Sequence, residues 1–496
     1  MADSLKDKTA KGLFWGALNN GGMQLLNIIF GIVIARQLDP SDYGLIAMLV
    51  IYSSIAANLQ DSGFMNALIN RKNATQKDFN SIFWFNIILS VCIYVILWFC
   101  APAIAEYNKQ PMLIPLARYY FIGFVLASFS IIPRTYLMKD LRQKELAIVS
   151  LLSMLISGIT GIIMALCGMA FWGLATQSIL YVAFVSILSW YYVRWKPAFS
   201  FSFQPVREMF GFSCKILITN IVNNLNKFVF ETFLGHFYPK NALGQYSQAN
   251  NWNQKGNQII TGMVQGVAQP MFVGIRDESN GGDDEKERLC RAFRKMLRFT
   301  SFITFPAMFG LILIAPEFIE VTITDKYAES ARLMQFLCFG GAFLPIAALY
   351  YNFIISRGKS DIYMWNMIIQ FIFVAADLFI VQYFRLNWLG FSGMRLMILI
   401  YVSIIALWTL IWHWFVWREI RLSIWKAAID MLPFLFIAAV TMTVTYFSTT
   451  FISNIYLLLV SRIIMAAVLY MAILWMLHAN ILRECINWLS RKEKSE

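Results

Sequence analysis

The chain alternates between long apolar runs and short polar connectors. A helix needs about 20 apolar residues to cross hydrocarbon, and about fourteen runs reach that length. The spans predicted are 13–36, 43–61, 79–101, 113–137, 146–167, 171–193, 209–235, 242–270, 297–315, 328–355, 361–384, 389–416, 424–447 and 452–478. Helices satisfy their own backbone polar groups in lipid, so the pattern predicts an all-α integral membrane protein. Prolines 306, 345 and 433 fall inside or near spans and mark expected kinks.

Four spans break the apolar pattern. The first carries Asn20, Gln24, Asn27 and Gly31 on one helical face, and the second carries Ser54, Asn58 and Asp61. The seventh has Asn220, Asn223, Asn224, Lys227 and Glu231; the eighth has Gln248, Asn251, Lys255, Gln258, Gly262, Gln265 and Gln269. Such stripes must face each other or water. Interhelical hydrogen bonds, each worth about 0.6 kcal/mol, account for an Asn or two. A stripe over many turns points instead to a water-filled cavity.

Ionisable groups set the sign of that cavity. Lys227, Lys255, Asp377 and Arg462 lie deep in spans, whereas Arg118, Arg134, Lys215, Arg332 and Arg395 lie nearer span ends, where long side chains reach the interface. Each deep charge costs about 2.5–3.5 kcal/mol on insertion scales, so it needs a partner, water or a purpose. Lys227 and Glu231 stand at i, i+4 and can pair with each other. Lys255 has no acidic residue one turn away and is the better functional candidate. Asp377 either pairs with a basic residue of a neighbouring helix or takes part in ion coupling, and Glu231 is the second coupling candidate. Lys and Arg neutralise phosphate oxygens, and Asn and Gln both donate to and accept from sugar hydroxyls. The set suits an anionic, hydroxyl-rich head group.

Composition agrees. The 496 residues are 59% hydrophobic and 14% charged, which leaves little for a domain outside the membrane. The connectors alternate between Lys/Arg-rich and Lys/Arg-poor. The poor set holds only Arg36, Lys109, Lys240, Lys326 and Arg385, so both termini are expected on the cytoplasmic side. The net charge of +13 sits at those helix ends and argues against nucleic acid as a partner. Aromatic clusters around Trp190 and Trp195, and from Trp408 to Trp417, read as interfacial belts. The stretch 271–294 reads as a solvated cytoplasmic loop. Scattered Cys and His residues indicate no metal site, and no G-x-x-x-x-G-K-[ST] loop appears, so no cofactor and no direct use of ATP are expected.

An internal repeat recurs at an offset of roughly 200 residues. Leu38-Asp39-Pro40-Ser41-Asp42-Tyr43-Gly44 corresponds to Phe237-Tyr238-Pro239-Lys240-Asn241-Ala242-Leu243-Gly244, and Arg118 corresponds to Arg332. Six spans separate the copies, which predicts two parallel six-helix bundles and a terminal helix pair. The expected divisions are 1–200, 201–416 and 417–496.

Several segments resemble one family. They are Ala35-Arg36-Gln37-Leu38-Asp39-Pro40-Ser41-Asp42-Tyr43-Gly44-Leu45, Asp61-Ser62-Gly63-Phe64, Ala242-Leu243-Gly244-Gln245-Tyr246-Ser247-Gln248-Ala249, and Pro270-Met271-Phe272 before Ile275-Arg276-Asp277-Glu278. In order and spacing they resemble the polysaccharide flippases of the MOP superfamily, of the Wzx/WzxC type that exports O-antigen and exopolysaccharide. The resemblance implies fourteen helices, no catalytic residues, and movement of undecaprenyl-diphosphate-linked oligosaccharide across the bacterial inner membrane by lobe rocking. It also implies membrane lipid and polysaccharide polymerase machinery as partners. Alternatives are an ion-coupled, MATE-like multidrug exporter, which would favour an acidic cavity, and a membrane glycan polymerase or ligase, which would need a larger external loop.

Overall fold

The apolar runs fold as helices in a computed structural model that describes residues 2–61, 68, 75–140, 142–193, 195–198, 201–203, 207, 221, 224–226, 228–278, 283–388 and 391–477. The helices are α1 (Ala2–Gln37), α2 (Pro40–Asp61), α3 (Gln76–Tyr107), α4 (Leu113–Tyr120), α5 (Ile122–Lys139), α6 (Gln143–Leu166) and α7 (Ala170–Tyr192). They continue as α8 (Lys240–Glu278), α9 (Asp283–Thr322), α10 (Ala328–Gly341), α11 (Leu344–Ser356), α12 (Ser360–Phe384), α13 (Gly393–Ile420), α14 (Ile424–Thr449) and α15 (Ile455–Met476). A two-residue antiparallel pair, Asn387–Trp388 with Phe391–Ser392, turns the chain between α12 and α13. The chain is an all-α multi-pass membrane protein.

Among the described residues, 12 segments are long and apolar enough to cross a membrane. The two other expected spans are the polar ones. Most of 209–235 lies outside the described residues, and α8 is a helix of 39 residues whose amides keep it from reading as a span. Two expected spans are each two helices. The stretch 113–137 breaks at Phe121, and 328–355 breaks before Pro345, which lacks an N–H and starts the first turn of α11. The expected loop at 271–294 is also corrected. Helix α8 runs through Glu278 and α9 starts at Asp283, leaving only 279–282 outside the described residues. Asp283, Asp284 and Glu285 stand in the first turn of α9, where negative charge complements the helix dipole.

Polar residues fix other helix starts. Thr75 Oγ1 accepts from the Asp78 amide at 3.4 Å while Asp78 Oδ2 accepts from the Thr75 amide at 2.8 Å, a reciprocal cap on α3. Asn454 Oδ1 accepts from the amides of Tyr456 and Leu457 at the start of α15.

Two compact units divide the chain, Met1–Gly244 and Gln245–Glu496. In the first, α6 packs on α1 and α7, and α5 packs on α3 and α7. Near one end the connectors are tied by bonds across the unit. Gln76 Nε2 donates to Lys196 O at 3.4 Å, Arg142 Nη1 donates to Tyr192 O at 3.1 Å, and Trp84 Nε1 donates to Ala198 O at 3.0 Å. There Trp190 and Trp195 stack at 5.6 Å, and Phe79 stacks on Tyr136 at 4.1 Å. Trp195 is buried, so this cluster is packing rather than the expected belt, whereas Tyr191 points outward.

In the second unit α9 packs on α10, α14 and α15, and α13 packs on α10, α11 and α12. Here one end is basic. Arg357 pairs with Glu285 and Glu419, Lys359 pairs with Glu419, and Asp430 takes Arg294 and Arg298. At the other end Arg395 grips Glu329 with two bonds of 2.9 Å. The aromatic run on α13 divides by helical period: Trp408 and Trp412 are buried, Trp414 and Trp417 exposed.

Candidate functional site

The two copies of the repeated turn meet backbone to backbone, and both lie in the first unit. A Cβ on Gly44 would stand 2.0 Å from the carbonyl oxygen of Lys240; a Cβ on Gly244 would stand 1.6 Å from that of Pro40. Only glycine allows so close an approach. The contact is reciprocal between positions 200 residues apart, as expected for equivalent parts of a duplicated structure.

The sequence-selected residues of the first unit scatter over different roles. On α1, Asn20 is exposed, and Gln24 and Asn27 are half-buried; Gln24 Nε2 is buried without a hydrogen-bond partner among the described residues. Asn58 turns back on its own helix and donates to Ser54 O at 2.7 Å. Arg118 lays its guanidinium 4.6 Å from the ring centre of Trp98. Asn224 is half-buried and Glu231 buried. Asn220, Asn223 and Lys227 lie outside the described residues, so the Lys227–Glu231 pairing stays an expectation.

Helix α8 sorts its amides onto two faces. On the buried face, Gln245 donates to Lys326 O at 2.7 Å and accepts from the Ser330 amide at 2.9 Å. Asn257 donates to Asn253 Oδ1 at 3.0 Å, and both lie against Gly341, where a Cβ would come within 2.3 Å of Asn253. Gln248 is buried as well. On the open face stand Asn251, Gln258, Gly262 and Gln265, all exposed. Gln265 donates to Tyr351 Oη at 2.9 Å, so of the exposed amides Asn251 and Gln258 are the available ones, a division that spacing alone did not make.

Lys255 lies between these faces. Its Nζ is 4.3 Å from the ring centre of Trp252, and it has no ion pair among the described residues. A cation over an indole face gains about 0.5–2 kcal/mol, less than a desolvated ammonium loses, so it keeps capacity for an anion. The side chain is held in place without being neutralised.

The other deep charges divide sharply. Arg462 donates to Glu317 Oε1 at 2.6 Å, to Thr449 Oγ1 at 3.2 Å and to Leu313 O at 3.3 Å, and Tyr446 covers it at 5.1 Å. It is structural, tying α15 to α9 and α14. Arg332 is exposed and reaches Glu329 only at 4.0 Å, beside the tighter Arg395 pair. Asp377 on α12 is 6% exposed, and neither carboxylate oxygen has a hydrogen-bond partner among the described residues. Sequence reading left Asp377 between pairing and ion coupling; no pair is present among those residues. It also missed Asp430, whose two Arg partners lie more than 130 positions away.

Three comparisons place this arrangement. The model of a family described as "Polysaccharide biosynthesis protein" matches residues 33–332, more than half the chain. The lipopolysaccharide biosynthesis protein WzxC of Escherichia coli is 25% identical over 75% of each chain. The teichuronic acid biosynthesis protein TuaB of Bacillus subtilis is 23% identical over 73% of this chain and 74% of its own. The succinoglycan biosynthesis transport protein ExoT of Rhizobium meliloti is 22% identical over 75% of this chain and 74% of its own. Among solved structures, the lipid II flippase MurJ in an inward closed conformation superposes with a TM-score of 0.73 at 13% identity, over 96% of this chain and 100% of that one. A MATE family transporter of the MOP superfamily follows at 0.59 and 13%, over 85% and 95%. At these identities the structural likeness establishes the fold, and the family match carries the classification. The chain belongs to the polysaccharide biosynthesis protein family, with the multi-pass helical fold of the MOP superfamily.

Proposed function

We propose that this chain moves a lipid-linked oligosaccharide from the inner to the outer leaflet of a bacterial inner membrane by alternating access. The observation that carries the reading is Lys255, a cation set over Trp252 with no ion pair among the described residues, beside the open amides Asn251 and Gln258. A diphosphate supplies the negative charge that Lys255 lacks, and sugar hydroxyls match the amides. The names of WzxC, TuaB and ExoT as polysaccharide biosynthesis or transport proteins support the same class of cargo.

In this reading Lys227, Arg118 and Arg332 add positive charge for the diphosphate. Asn20, Gln24, Asn27, Asn220, Asn223 and Asn224 contribute polar surface for the glycan, whereas Gln248 is buried and Asn58 is bonded to its own helix. The Lys/Arg-rich ends of both units face the cytoplasm. Asp377 and Glu231 take up the coupling ion or proton: both are buried carboxylates, and the Asp377 oxygens have no hydrogen-bond partner among the described residues, which makes its ionised form costly. The membrane potential supplies about 2.3 kcal/mol per charge per 100 mV.

The test is a strain lacking this chain. Lipid-linked repeat units accumulate on the cytoplasmic leaflet, wild-type chain clears them, and Lys255→Ala clears them poorly. Normal surface glycan in the deletion strain overturns the reading.

A further inference from the structure

We infer that α12 and α13 build a binding groove for a single aminophospholipid of the cytoplasmic leaflet, a site separate from the transport residues. A cavity of about 530 Å³ runs between the two helices on the membrane-facing side of the second unit. Trp408, 6% exposed, forms its base, and Trp365, Phe373 and Leu407 form walls that leave more than half their surface open. Phe373 meets Trp408 edge-on at 5.5 Å, which closes the deep end. From Asp361 at the mouth to Phe373 is twelve residues, about 18 Å along a helix. One leaflet of hydrocarbon is about 15 Å deep, half of a core of about 30 Å. The groove therefore runs from the head-group level to the middle of the bilayer, the course of one acyl chain.

The mouth carries the selectivity. Asp361 lines it beside Trp414, and the Arg418 guanidinium lies over Trp414 with 4.9 Å to the ring centre. The two basic residues just before α12 are already engaged: Arg357 by Glu285 and Glu419, and Lys359 by Glu419. Asp361 and Arg418 have no ion pair among the described residues. One carboxylate and one guanidinium at the mouth of an apolar slot match a zwitterion with a tail. The phosphate pairs with Arg418, and the ethanolamine ammonium donates hydrogen bonds to Asp361. A choline head group has no N–H to donate, and a glycerol head group has no positive charge.

The experiment uses the purified full chain in mild detergent, titrated with phosphatidylethanolamine, phosphatidylcholine or phosphatidylglycerol of identical acyl chains. Native mass spectrometry then counts the lipids that remain bound. The expected result is one phosphatidylethanolamine retained at least threefold better than either rival. Asp361→Asn, an isosteric change at an exposed position, lowers its retention to the level of phosphatidylcholine. Arg418→Gln weakens all three lipids together. Equal retention of the three, a preference for phosphatidylglycerol, or an Asp361→Asn chain that still prefers phosphatidylethanolamine overturns the site and leaves only annular lipid. The readout is binding without transport, so failure here and failure of the flippase reading are separable.

Discussion

Helices α8 and α9 follow each other in the chain, span 39 and 40 residues, and use polar groups in opposite ways. On α9 the charges at 285, 294, 298 and 317 are each matched by a group from elsewhere in the chain: Arg357 at the end of α11, Asp430 for both arginines, and Arg462. On α8 the inward-facing Gln245 and Asn257 are bonded, the outward-facing Asn251 and Gln258 are exposed, and Lys255 has an aromatic neighbour and no counter-ion among the described residues. In apolar surroundings a paired charge is a fixed joint, because separating it leaves an ion without solvent. An unpaired charge is a cost the fold carries, and it is retained where something outside the chain completes it. Polarity in a membrane helix thus has two meanings, and the partner list tells them apart.

The largest expected effect comes from breaking a joint on α9. Glu317→Ala strands Arg462 and costs about 3–5 kcal/mol, while the double change Glu317→Ala with Arg462→Met recovers most of the loss. Thermal unfolding in detergent reads both. A double variant no better than the single one shows that the pair is not the unit that matters.

The start of α8 comes next. Gly244→Val forces a side chain into the carbonyl of Pro40 and costs about 1–3 kcal/mol or more, as overpacking does. Gly262→Ala is the control on the same helix: a Cβ there meets nothing within 4 Å, so the melting temperature holds or rises slightly. Similar losses for both would remove the reciprocal turn from the account.

Lys255→Ala is expected to lower transport about tenfold, equivalent to about 1.4 kcal/mol of lost interaction. Its melting temperature should stay near that of wild type, and Lys255→Arg should keep most of the activity. A fall in stability like that of Glu317→Ala would erase the contrast between the two helices. The smallest effects belong to the open amides. Asn251→Ala and Gln258→Ala each reduce transport by about threefold or less, the weight of one hydrogen bond of about 0.6 kcal/mol. Asn257→Ala, which removes a buried bond to Asn253, should instead appear in the melting temperature.

Much of this was legible beforehand because bilayer crossing is a constraint on composition. Run length places the spans. The repeated turn is visible as letters 200 positions apart, and the structure turns it into two reciprocal contacts, Gly44 against Lys240 and Gly244 against Pro40. The break before Pro345 follows from proline chemistry, whereas the break at Phe121 has no comparable mark in the sequence. The stretch 271–294 was misread because charge density resembles a loop; helices that leave the membrane keep their backbone bonds and simply turn polar.

The sequence by itself determined that the chain is a bundle of membrane helices, which of them are polar, and which end of each helix is basic. These follow from the cost of placing each residue type in hydrocarbon, a sum taken one position at a time. Only the tertiary structure decided that Arg462 and Asp430 are joints, that Asp377 stands without a hydrogen-bond partner among the described residues, and that Lys255 is held by an indole. A charge is neutralised by a neighbour in space, and Glu317 and Arg462 become neighbours only when helices 145 positions apart pack together.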